Sequence, residues 1–248
     1  LLCKTLERFG EFGHPEEYFH RHTLKQLKLD NHPEEFLAYC HSIYQQDPSE
    51  PFGIKMHWWQ LLDFLRLARQ SSQFKDQSDG EILNTLFPNL TFIYLWRRDM
   101  ASQAVSAAIA SQTGQWEKSH PSGQKPSKTT PIKFQPWKIY EWETSLNDQN
   151  LCWQKFFQEN HLNYYEITYE DLVESFPQEI AKVISHIGNH IDVEPEQLIT
   201  QLEMPTQRQS NATNRRFISY YALIPKPLLR VLYQLYRQLK PIPSGGGS

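Results

Sequence analysis

The stretch Phe92-Ile-Tyr-Leu-Trp-Arg97-Arg98-Asp99-Met-Ala-Ser102-Gln-Ala-Val-Ser106 constrains the fold more than any other part of the chain. Phe92 to Trp96 are all apolar, which suits a strand covered on both faces, the habit of a parallel sheet. Two arginines follow at once, and then a run with helical character. Asp99 suits the N-cap or first turn of that helix, where a carboxylate accepts from open backbone N–H groups. Arg97 and Arg98 then stand at the carboxyl end of a parallel-type strand, where open α/β sheets place their ligands. A guanidinium beside open helix N–H groups suits a phosphate or sulfate. The same pattern also fits an ordinary strand–helix junction with solvated arginines.

The rest of the chain expects an α/β fold of one large domain, which 248 residues allow. Apolar periodicity predicts helices at residues 1–9, 36–44, 58–69, 81–87, 101–113, 137–160, 176–188 and 197–202. Strands are expected at Phe52–Met56, 91–96 and Asn163–Thr168. This alternation predicts a sandwich of helices around a mostly parallel sheet. Residues 117–136 carry Lys, Ser, Pro, Thr and Gly with no period and read as a surface loop. Leu228–Leu239 reads as a helix with Leu, Val and Tyr on one face and Arg230 and Arg237 on the other. The expected division is a domain over 1–221, a C-terminal helix over 222–243 and a flexible Gly/Ser tail over 244–248.

Aromatic residues make up 13% of the chain, enough to line a pocket for flat or sugar-like groups as well as a core. The net charge of −3 gives no basic field for nucleic acid. No run approaches the about 18 apolar residues of a membrane span. Cys3, Cys40 and Cys152 are far apart, odd in number and without a CxxC pair. They read as reduced thiols of a cytoplasmic protein rather than a disulfide framework.

Five motifs in order resemble one family, the PAPS-dependent sulfotransferases of the bacterial trehalose 2-sulfotransferase-like branch. PAPS is 3′-phosphoadenosine-5′-phosphosulfate, and PAP is the product left after transfer. Pro15-Glu16-Glu17-Tyr18-Phe19 resembles the family's Pro-x-Glu-aromatic-Phe motif. Gly53-x-Lys55-Met56-x-Trp58-x-Gln60 resembles its Gly-x-Lys-hydrophobic-x-Trp segment. The 92–106 stretch resembles its 3′-phosphate-binding segment. Gln112-Thr113-Gly114-Gln115-Trp116 and the late pair Arg208-Gln209 complete the set.

The resemblance implies a P-loop-like three-layer sandwich and transfer of a sulfuryl group from PAPS to a hydroxyl of a carbohydrate or other small acceptor. It implies Glu17 as general base and Lys55 as the cation that stabilises the sulfuryl group or leaving phosphate. It implies Arg97 and Ser106 as 3′-phosphate ligands, with Ser102 as the alternative serine and Arg208 against the nucleotide. A homodimer is compatible, with residues 226–240 as a candidate interface.

Each residue also has a plainer reading. Glu17, beside Glu16, fits a solvated helix-start acid, Lys55 a strand-end lysine reaching solvent, and Ser106 a small residue at a packing face. Trp58, Trp116 and Trp153 read as core before substrate platform, although a sugar-binding enzyme would use Trp116. His14, His20 and His22 contain an H-x-H pair with no third ligand in view, so no metal is expected.

One family element does not stand in the sequence. A phosphosulfate loop resembling Arg-Ser-Gly-Ser-Thr would run directly into Leu1-Leu2. The expectation is therefore an N-terminally truncated chain without the first strand, binding PAPS weakly and transferring little sulfate. A degenerate nucleotide-binding or scaffolding domain is the alternative. A P-loop kinase ranks lower, because G-x-x-x-x-G-K-[ST] is absent.

Overall fold

The computed structural model describes residues 1–9, 12–44, 52–116, 131–188 and 212–239. Five helices come first: α1 (Leu2–Phe9), α2 (Arg21–Gln26), α3 (Pro33–Tyr44), α4 (Trp58–Ala68) and α5 (Asp79–Leu86). Then follow β1 (Phe92–Trp96), α6 (Met100–Thr113), α7 (Pro136–Glu159) and β2 (Tyr164–Thr168). The order ends with α8 (Tyr169–Glu174), α9 (Phe176–Ile187), α10 (Ala212–Ala222) and α11 (Lys226–Leu239). Among the described residues, no helix is long and apolar enough to cross a membrane.

The strands expected at 91–96 and Asn163–Thr168 form as β1 and β2 and pair in parallel, Phe92 against Tyr164 through Trp96 against Thr168. Parallel neighbours need a long crossover, and α6 and α7 supply it. Side chains alternate across a strand. Phe92, Tyr94 and Trp96 therefore face one apolar cluster, and Ile93 faces another. Cover on the second face ends early, because Leu95 is 39% exposed. Trp96 Nε1 donates to Glu166 Oε1 at 2.7 Å across the pair.

The third expected strand, Phe52–Met56, shrinks to a single parallel bridge between Glu16 and Ile54. The expected helix at 197–202 and most of the 117–136 loop lie outside the described residues. Helices α2 and α10 are additions that periodicity did not reveal.

The chain forms two compact units, Leu1–Trp96 with Cys152–Gln207, and Arg97–Leu151 with Arg208–Ser248. The first has two cores. One is aromatic: Phe19 packs on Phe64 at 4.8 Å, and Phe36 and Phe87 close around the same ring at 5.7 and 5.9 Å. The other joins Leu2 and Leu6 of α1 to Ile167, Leu172 and the inner face of α9. In α5 a capping box fixes the helix start, with Ser78 N–H donating to Glu81 Oε2 at 2.7 Å.

In the second unit α6 packs its small residues Ala104, Val105 and Ala108 against Ile139, Phe217, Tyr221 and Leu229. It ends at Gly114, whose φ of 71° is the left-handed cap that glycine adopts without strain. The apolar residues of α11 divide between two faces. Leu229 is buried, and Tyr233 and Tyr236 pack on Tyr140 and Trp137 at 5.8 Å. Leu228, Val231 and Leu235 stay about half exposed. Cys3, Cys40 and Cys152 form no disulfide.

Phe64 is fully buried at the centre of the aromatic core. Phe64→Ala is expected to lower unfolding free energy by about 3–5 kcal/mol, read as a lower midpoint in denaturant titration.

Candidate active site

Glu17 sits in a segment pinned on both sides. Phe19, two residues on, is 1% exposed in the aromatic core. Tyr18 OH donates to His14 O at 3.0 Å, and Tyr39 OH donates to Tyr18 O at 3.1 Å. Beside it runs the segment with Lys55, whose backbone N–H donates to Glu16 O at 2.9 Å. A Cβ on Gly53 would lie 2.7 Å from Pro15 Cγ, so the two segments approach as closely as glycine permits.

This approach brings the two expected catalytic residues together. Glu17 Oε1 meets Lys55 Nζ at 2.6 Å. His57 Nε2 stands 3.6 Å from the same oxygen. Glu17 Oε2 accepts from Gln60 Nε2 at 2.8 Å. Gln60 is fully buried, and its own Oε1 accepts from His57 N–H at 2.6 Å. The carboxylate is thus tied to the first turn of α4.

His57 is the largest cause that holds the Glu17 carboxyl far below the usual carboxylate range. Burial pushes the other way, and the Lys55 ammonium and the Gln60 N–H act with His57. Glu17 is therefore ionised at neutral pH. Its side chain is 27% exposed and that of Lys55 38%, so solvent limits the ion pair to about 1 kcal/mol or less.

In the second unit Arg97 is half-buried and Arg98 exposed. Asp99 caps α6 as expected, accepting from Ser102 N–H at 2.9 Å. One of the helix-start N–H groups is thereby satisfied by the chain itself. The two candidate serines are now distinguishable. Ser102 Oγ donates to Asp99. Ser106 Oγ accepts from Asn214 Nδ2 at 3.1 Å, which leaves its O–H as a donor. Arg97 and Ser106 each carry donors of the kind that bind a phosphate. Arg208 lies outside the described residues.

The aromatic candidates separate as well. Trp58 and Trp153 pack edge to face at 5.3 Å beside the first core. Trp116 is not core: it is 60% exposed, beyond the Gly114 cap, with its ring 5.8 Å from Trp142. The H-x-H pair is a helix cap, with His20 Nδ1 accepting from His22 N–H at 3.2 Å at the start of α2.

Comparison with known proteins identifies the family. Residues 1–223 match the Stf0 sulphotransferase family. The chain belongs to that family. It is also 26% identical over 253 residues to trehalose 2-sulfotransferase of Mycobacterium tuberculosis (strain ATCC 35801 / TMC 107 / Erdman), covering 89% of each chain.

In this sulphotransferase three polar groups beside the candidate residues had no assigned role from sequence: His57, Gln60 and Asn214. Gln60 carried a local signal, since it stands three residues after the His57 N-cap, the capping-box spacing. Asn214 gave none, because α10 lies 108 residues from Ser106.

A carboxylate with a depressed folded-state pKa stabilises the fold above its unfolded value of about 4.3. That contribution is lost as pH falls through the folded value. Glu17→Gln is therefore expected to make the fall in Tm below about pH 4 shallower than in the unsubstituted chain, as thermal melts across pH would show.

Proposed function

We propose that this chain is a PAPS-dependent sulfotransferase acting on a carbohydrate hydroxyl. The observation that carries the reading is the ionised Glu17, fixed by Gln60 and paired with Lys55 at 2.6 Å. The family match and the acceptor named for the mycobacterial relative support it.

When bound, PAPS supplies the sulfuryl group, its S–O bond to the 5′-phosphate breaking as a new S–O bond forms to the acceptor hydroxyl. Glu17 takes the hydroxyl proton in that step. Being ionised at rest, it needs no prior deprotonation. Lys55 places a cation where the transferring group or leaving phosphate develops charge. Arg97 and Ser106 hold the 3′-phosphate, with Ser102 kept to the helix cap and Arg208 against the nucleotide. The reading takes the fold to be a P-loop-like three-layer sandwich. It takes the setting to be cytoplasmic, which three cysteines outside any disulfide support.

The roles separate by measurement. Glu17→Gln should cut the rate of sulfate transfer from labelled PAPS by about 100-fold or more and leave PAP affinity unchanged in calorimetric titration. Arg97→Ala should weaken PAP binding by about 1.5–3 kcal/mol. Full turnover in the Glu17 variant, or equal loss of PAP affinity in both, would overturn the assignment. PAP binding with no transfer to any of a panel of sugars, trehalose included, would leave a nucleotide-binding domain without catalysis.

A further inference from the structure

Gln60 is unusual among the groups around Glu17 because both ends of its amide are engaged away from solvent. Its N–H₂ donates to Glu17 Oε2 and its carbonyl accepts from His57 N–H, while the residue is 0% exposed. Turning the amide over would set its oxygen against the carboxylate and its N–H₂ against the His57 N–H. Both contacts would then be repulsive, and no water could replace them. The amide therefore has one orientation.

That orientation keeps Glu17 Oε2 an acceptor from the Gln60 N–H₂, while Oε1 faces the Lys55 ammonium at 2.6 Å and His57 Nε2 at 3.6 Å.

We infer that Gln60 is the positioning residue of the base. The inference rests on the reading of Glu17 as base. Gln60 acts by holding the carboxylate at one angle on the N-terminal turn of α4, so that the backbone cap of the helix and the aim of the base share one amide.

The test uses the unliganded chain first. Gln60→Met keeps the length and removes both hydrogen bonds. The Glu17 carboxyl carbon, assigned with Glu17→Gln, should titrate at higher pH in this variant by NMR. Leu61→Ala, a cavity at a buried neighbour on the same helix, should destabilise the chain and leave that titration in place. In turnover assays Gln60→Met should lower kcat by about 10- to 100-fold, the scale of a misplaced catalytic group, with KM for PAPS unchanged. Gln60→Glu sets a second carboxyl against the first. It should move the acid limb of the kcat profile to higher pH, because like charges at one site raise a shared pKa. An unaltered Glu17 titration in Gln60→Met, or an equal shift in Leu61→Ala, would reduce Gln60 to a helix cap and overturn the inference. Full turnover in Glu17→Gln would overturn the base reading and this inference with it. A slow Glu17 variant beside a Gln60→Met chain of unaltered kcat would overturn the inference alone.

Discussion

The hydrogen bond from Lys55 N–H to Glu16 O, at 2.9 Å, is the contact on which the candidate site depends. It lays two segments side by side that are far apart in sequence. Once they are parallel, Glu17 and Lys55 project next to one another, and the short turn after Lys55 delivers His57 and the start of α4. Every polar contact of Glu17 follows from that single register. The aromatic core beneath, with Phe19 against Phe64, holds one of the two segments in place. The arrangement joins burial, which fixes position, to partial exposure, which keeps the charges usable.

Much of this was legible in the sequence, for reasons that can be named. Long amphipathic runs such as residues 58–68 and 136–159 repeat their apolar positions often enough to outweigh chance. The strand at 92–96 is an unbroken apolar run between clear stops. The motifs carrying Glu17 and Lys55 identified the pair that the fold brings together. What was not legible depends on contacts between distant segments. The strand expected at Phe52–Met56 narrows to the single bridge between Glu16 and Ile54. Helix α10 buries only a few residues, Asn214, Phe217 and Tyr221 among them, so its periodicity is faint. Its Asn214 meets Ser106 across 108 residues of sequence, a contact that no local pattern records.

The two candidate anion groups also differ in how their polarity is arranged. Around Glu17 the charges are paired and a buried amide fixes the geometry. Around Ser106 a neutral hydroxyl is oriented by a neutral amide, and the cationic side chain of Arg97 precedes the helix. Asp99 meanwhile occupies a helix-start N–H, so binding there would draw on side-chain donors more than on the helix end. The capping residue that starts α6 therefore also limits which of its two serines has a hydroxyl to offer.

Gly53 leads to a different conclusion about the same region. It carries no charge and makes no polar contact with Glu17, yet an added Cβ would meet Pro15 at 2.7 Å. Any larger residue would wedge the two segments apart and lengthen the gap between carboxylate and ammonium. The electrostatics of the site are in this sense set by a steric vacancy: the smallest side chain nearby acts as the spacer that gauges its strongest charge pair.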